Sequence, residues 1–478
     1  MYENKKISIS FLIIIFLVKI SNNYIVLPFK ITNIPFQETN SSIIENFLSQ
    51  ININQLYTTI SFGNPPKNID FYLSMEQLVF SVLSNNCIKG SKSSYDPTLS
   101  STFQNQTLYN ISAGHIRKAC LATEKCSFYN DLNLSKNSSF DTFLFLLGNN
   151  SSPKNTIDSD RFCGTIGLMR YSYNTILTNN HFIYYLKQNN IIDSYNWGLF
   201  YFNNDSSFHI NREIQSMFDG FFIAGISNNS YLDIFKTENI HNSYVSSTIN
   251  WSVNFNKIYY NDTNAEYICS NNTMVFFTLE LNYIVSDKNY YENIKDSFFK
   301  KYLLSKVCEE ETLYKTYEGN NHLIVCNHEI KNNLSSFPNI YFFSEQFSYT
   351  FKLDYNDVFF EKNNKIYFLI LYKENTKTIW NVGKIFMKKY PFIFDYEKKT
   401  ISFVHLNQYN GNSNEESGKN ENNNLWEKIK IYVFIFLFIL AIIIGIFIGK
   451  IIWQKKRKMR ANELDDNYEY IEKFEINI

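Results

Sequence analysis

The chain has no excess of charge of either sign. Lys plus Arg and Asp plus Glu number 45 each, the formal net charge is zero, and only 19% of the residues are charged. Nucleic-acid binding draws on a concentrated positive field, so this balance excludes a nucleic acid as the expected partner. Several short catalytic patterns are also missing. There is no His-Glu-x-x-His, no Gly-x-Ser-x-Gly and no phosphate-cradling glycine loop, so the sequence gives no lead to a zinc hydrolase, a serine hydrolase or a nucleotide enzyme. No cofactor is implied. What the chain does have is aromatic mass, with 44 Phe and 35 Tyr among 478 residues, enough to bury an ordinary core.

Long apolar runs occur only near the two ends. Lys5 and Lys6 precede the run from Ile9 to Val18, the length of a signal-peptide core and short for a membrane span, so residues 1–21 are expected to be a signal peptide. Residues 431–449 are uncharged and long enough to cross a bilayer, and Lys455, Lys456, Arg457, Lys458 and Arg460 follow at once. The positive-inside rule places that basic flank in the cytoplasm. The expected protein is a single-pass type I membrane protein, with a transmembrane helix over 429–453 and a cytoplasmic tail over 454–478. Its bulk lies in the secretory lumen or outside the cell. Tyr468–Ile471 has the form of a tyrosine-based sorting signal.

All seven cysteines fall on the luminal side, where disulfides persist. The odd number leaves at least one outside an intrachain bridge. The pairing expected for one bridge is Cys308–Cys326, which closes a short loop. His322, Cys326 and His328 also have a spacing that hints at a metal, but the disulfide is the preferred reading and no metal is expected. Glycosylation sequons stand at Asn105, Asn110, Asn137, Asn250, Asn261, Asn271 and Asn333.

Between the ends, residues 22–50 show no strong periodicity and read as a short pro-segment or N-terminal extension, or as the first strand and loop of the mature domain. From 51 to 405 short alternating or apolar runs are separated by turn residues, the pattern of a mostly β protein. One helix is predicted at Phe182–Gln188, ending at Asn189-Asn190. Residues 406–428, polar and of low complexity at their start, read as a stalk.

Seven segments in order resemble the pepsin-like (A1) aspartic peptidases. Tyr57–Lys67 (YTTISFGNPPK) is similar to the approach to the first active-site loop, and Asp96–Phe103 (DPTLSSTF) to D-P-x-x-S-S-T-[FY]. Phe162–Leu168 (FCGTIGL) resembles F-D-G-I-L-G-L, and Phe182–Tyr201 the helix and strand after it. Phe222–Tyr231, Ile249–Val253 (INWSV) and Trp380–Phe403 (WNVGKIFMKKYPFIFDYEKKTISF) resemble later family segments, the last close to W-I-L-G-D-x-F followed by Y and F-D. The resemblance implies a bilobal, mostly β fold, with an N-terminal lobe over 51–212 and a C-terminal lobe over 213–405.

The same resemblance argues against the family's activity. Aspartic peptidases share one proton between two facing carboxylates, each in a D-[TS]-G loop, to activate a water. No Asp-Thr-Gly or Asp-Ser-Gly occurs in the chain. Ser74 and Thr278 occupy the two catalytic positions, and Glu76 and Glu280 replace the glycines. Aligning Leu121–Glu124 (LATE) with L-A-T-D sets Ser112 at the flap tyrosine's place, with Tyr109 as fallback. Two hydroxyls can hold a water but cannot take its proton.

Three functions remain open from the sequence. The first is an inactive homologue that binds peptide or protein through the cleft or its outer surface. The second is an active endopeptidase whose dyad is Glu76/Glu280. The third is a structural or antigenic surface glycoprotein with a plugged cleft. Absent a substitute dyad, both glutamate side chains are expected to point to solvent.

Overall fold

The computed structural model describes residues 23–31, 55–84, 95–109, 116–151, 164–170, 181–202, 212–226, 240–262, 265–313, 319–374, 380–404, 450 and 452–453. Within 1–408, one compact unit, the architecture is mostly β. In chain order the strands are β1 (Ile25–Ile31), β2 (Leu56–Phe62), β3 (Lys67–Ser74), β4 (Ser81–Leu83), β5 (Gln104–Tyr109), β6 (Ile116–Tyr129), β7 (Asn137–Ser151), β8 (Gly164–Gly167), β9 (Asn196–Tyr201), β10 (Gly220–Ala224), β11 (Ile240–Tyr244) and β12 (Ser252–Asp262). The second half adds β13 (Ala265–Phe277), β14 (Ile284–Ser286), β15 (Cys308–Leu313), β16 (Asn321–Asn327), β17 (Ile340–Ser344), β18 (Tyr349–Leu353), β19 (Phe359–Lys362), β20 (Lys365–Phe368), β21 (Ile370–Lys373), β22 (Trp380–Val382), β23 (Phe392–Asp395) and β24 (Thr400–Val404).

These strands form two large sheets. The first has 13 strands in the order β11-β24-β23-β9-β10-β1-β2-β3-β8-β4-β7-β6-β5, and the second runs β18-β17-β12-β13-β22-β14-β21-β16-β20-β19 with β15 on β16. The alternation that predicts strands is visible in β2, where every second residue is buried. Its inward Phe62 joins Phe71, Phe80, Tyr95 and Phe145 in a cluster of tilted and edge-to-face rings. Gly164 is required there, because a Cβ at that position would lie 2.2 Å from the Phe71 ring.

Two assignments along the chain differ from a simple division at residue 212. β1, in the segment left open between an extension and a first strand, is a buried interior strand hydrogen-bonded to β10 on one side and β2 on the other. β10, β11, β23 and β24, all after residue 212, belong to the first sheet.

The predicted helix Phe182–Gln188 has the expected bounds. It stops because Asn190 takes a left-handed conformation (φ 55°) while the Ile191 N–H turns back to the Leu186 carbonyl. The expected Cys308–Cys326 disulfide is present, joining two residues directly opposite in the β15–β16 pair. Residues 431–449, the expected membrane span, lie outside the described residues, among which no helix is long and apolar enough to cross a membrane.

Candidate functional site

The two halves repeat one local topology. In the first, β3 runs into a loop and then β4, while β8 lies parallel to β3 and antiparallel to β4, and β7 runs parallel to β4. In the second, β13 runs into a loop and then β14, while β22 lies parallel to β13 and antiparallel to β14, and β21 runs parallel to β14. The loops are tied at matching points. The Met169 N–H bonds the Gln77 carbonyl at 2.9 Å, and the Lys384 N–H bonds the Leu281 carbonyl at 2.8 Å. Gln77 is three residues after Ser74 and Leu281 three after Thr278, while the donors differ by one step, Met169 two residues after Gly167 and Lys384 one after Gly383. Gly383 allows the second tie, since a Cβ there would lie 2.3 Å from the Leu281 carbonyl oxygen.

Ser74 ends β3 and Thr278 follows β13, and the loops bring both hydroxyls to one carboxylate. Ser74 Oγ donates to Glu280 Oε1 at 2.6 Å and Thr278 Oγ1 donates to Glu280 Oε2 at 2.6 Å. Each hydroxyl also accepts locally. Ser74 Oγ takes the Glu76 and Gln77 N–H groups at 3.2 and 3.1 Å, and Thr278 Oγ1 takes the Glu280 N–H at 3.2 Å. These are Ser/Thr turns, in which the side-chain oxygen stands in for a backbone acceptor. With their lone pairs so engaged, the hydroxyl protons are aimed at the carboxylate. The Glu76 N–H reaches Glu280 Oε1 as well, at 3.2 Å.

The two glutamates therefore part company. Glu76 is exposed, as expected, whereas Glu280 is half-buried and turned toward Ser74 and Thr278. The contact between them runs through the Glu76 backbone N–H. Two converging O–H donors draw the Glu280 side chain in, and a cation stands behind it. Lys384 is 5% exposed, and its ammonium donates to the Leu279 carbonyl. Burial draws its pKa down to about 8, against the opposing pull of Glu280. Burial pushes the Tyr72 phenol up to about 12, with a hydrogen bond from Thr165 working against it and the charges of Glu280 and Glu76 adding to it.

Lys384 is the site residue that the motif reading passed over. Its signal was one reversed charge in a segment otherwise close to the family pattern, Lys in W-N-V-G-K-I-F where the family has Asp. A lysine in the first turn of a helix, here Lys384–Lys389, is doubly disfavoured by burial and by the positive helix end. Its folded pKa lies below its ordinary 10.5, so the unfolded chain binds the extra proton between pH 8 and 10.5. That destabilisation is present in full below about pH 8 and is lost as pH rises to 10.5. Relative to a Lys384→Met variant, the wild-type chain should gain up to about 3 kcal/mol across that window. Paired denaturation midpoints at pH 8 and 10 read the difference, and parallel curves would rule the effect out.

The remaining predicted sites are dispersed. His322 lies between Glu310 (3.7 Å) and Glu374 (3.1 Å), His328 pairs with Glu361 (2.8 Å), and Cys326 is held in the disulfide. Among the described residues no group of His, Cys, Asp and Glu is arranged to hold a metal. Cys120 and Cys126 are buried thiols outside any disulfide, the Cys126 thiol raised by burial and then by the Glu124 charge. Asn105, Asn137, Asn250, Asn271 and Asn333 are exposed. Asn110, Ser112, and the side chains of Tyr109 and Asn261 lie outside the described residues. Asp70 is a half-buried strand residue that accepts the Thr59 hydroxyl at 2.6 Å.

No protein-family model matches the chain, and no curated protein matches it.

Proposed function

We propose that this chain is a catalytically silent homologue of the pepsin-like aspartic peptidases, anchored as a type I membrane glycoprotein with its bulk luminal or extracellular. The observation that carries the reading is the Glu280 carboxylate hydrogen-bonded to both Ser74 and Thr278. In an active member of that family the corresponding space holds the water between two aspartates. Here the positions carry hydroxyls, and a side chain of the same molecule fills the gap between them. The repeated loop topology and its matched hydrogen bonds support the ancestry. The apolar run 431–449 with its basic flank supports the anchor, and the exposed sequons suit glycosylation.

The occupied centre favours a structural or antigenic surface glycoprotein with a plugged cleft over peptide or protein binding through an open one. It counts against a Glu76/Glu280 dyad. Such a dyad needs two carboxylates sharing a proton, but both Glu280 oxygens are already taken by hydroxyl donors and Glu76 is exposed.

The test is cleavage of a broad peptide library from acid to neutral pH, read by mass spectrometry, with the Glu76→Gln/Glu280→Gln double variant alongside. No cleavage above the variant's background is the expected result. Cleavage that disappears in the variant would instead establish a relocated dyad.

A further inference from the structure

Away from the Glu280 centre, the first sheet holds a cavity of about 460 Å³ with a mixed polar and apolar lining, within the roughly 300–1,000 Å³ of small-molecule sites. It is built by strand register. Asn196 on β9 stands opposite Asp395 on β23, Asp395 opposite Thr400 on β24, and Thr400 opposite Tyr244 on β11. One row of side chains thus crosses four adjacent strands and ends on an edge tyrosine that is 72% exposed. In the next row, Ser402 faces Asn242 and donates to its Oδ1 at 2.5 Å. Ile240 and Ile393, on the same faces of β11 and β23, give the cavity an apolar part.

The lining chemistry narrows the ligand. The Asp395 carboxylate accepts the Lys398 N–H at 2.8 Å and meets the Lys398 ammonium at 3.5 Å, so the cavity has no uncompensated charge to hold an ion. An apolar ligand would strand the hydroxyls and amides. Among the described residues, the Thr400 and Tyr244 hydroxyls and the Asn242 N–H2 have no protein partner. Neutral donors and acceptors on a rigid sheet, beside an exposed aromatic ring and an apolar wall, match a pyranose. A sugar offers paired hydroxyls along its edge and a C–H face that packs on a ring.

From this we infer that the β9-β23-β24-β11 face is a carbohydrate site taking a neutral hexose unit of a glycan. The glycan can belong to another molecule or to this chain's own sequons, and the site stands whether or not the Glu280 centre is inert.

Saturation-transfer NMR with a panel of neutral hexoses and disaccharides tests it. The purified full-length chain is used in sugar-free detergent, before and after enzymatic removal of N-glycans. Saturation of at least one sugar is expected, weakened about tenfold or more in Tyr244→Ala and Thr400→Val, the loss of a ring face and a bonded hydroxyl. Tyr244→Phe should retain most of the binding. Transfer in both preparations points to a foreign glycan, and transfer only after stripping points to the chain's own; either supports the site. No transfer in either preparation, or equal transfer in wild type, Tyr244→Ala and Thr400→Val, would overturn it.

Discussion

Glu280→Leu should lower the unfolding free energy by about 3 kcal/mol or more, because it strands two buried hydroxyls at once. Ser74 and Thr278 are 1% and 8% exposed, and each directs its proton at the carboxylate while its oxygen accepts backbone N–H groups, two at Ser74 and one at Thr278. Neither hydroxyl can turn to a new acceptor without breaking its turn. An unsatisfied buried polar group costs about 1–3 kcal/mol, and Lys384 loses its nearest countercharge in addition. Removing the hydroxyls as well should recover much of the loss, since deleting both partners leaves nothing unpaired. Urea midpoints of wild type, Glu280→Leu, and the triple variant Ser74→Ala/Thr278→Val/Glu280→Leu make the comparison. A single variant within about 0.5 kcal/mol of wild type would mean the carboxylate is not holding the two loops.

The second large effect comes from His181. It is 1% exposed, has Nε2 3.3 Å from the Met169 carbonyl, and packs edge-on against Tyr184 and Tyr396. Its Nδ1 is buried with no partner among the described residues. Burial draws its pKa from 6.5 down to about 3, only partly offset by the Met169 carbonyl. Below pH 6.5 the unfolded imidazole binds a proton that the folded one refuses until about pH 3. The unfolded state therefore binds more protons across that window. Stability is full above 6.5 and lost as pH falls toward 3. Between pH 7 and 4.5 wild type should lose about 2–3 kcal/mol more than His181→Leu. The side chain makes no capping bond to its helix, so the variant forfeits no cap. Equal losses in the two proteins would refute the assignment.

Much of the chain was legible in its sequence because the signals were local. Alternation marked β2, the Asn189-Asn190 pair stopped the helix, and two motif runs placed Ser74 and Thr278 at matching loop positions. The direction of Glu280 was not legible, since it depends on Ser74 across the gap and on Lys384 far along the chain. β1 was left open between a pro-segment and a first strand for a related reason. Its residues Ile25–Phe29 are all buried, so it shows neither strand alternation nor a polar face. The polar row across β9, β23, β24 and β11 exists only as register, with each residue unremarkable in its own strand.

That register also orders the making of the protein. β9 pairs with β23, and β11 with β24, so the first sheet draws on the last strands of the compact unit to be synthesised. While a growing chain emerges from its amino end, β9 waits with an unpaired edge until residues 392–404 arrive. Such long-range pairing slows folding and leaves strand edges open to chaperones or to aggregation. A chain cut just before Pro391 would carry that open edge permanently. The last strands of the β unit thus cover the edge that β9 would otherwise expose.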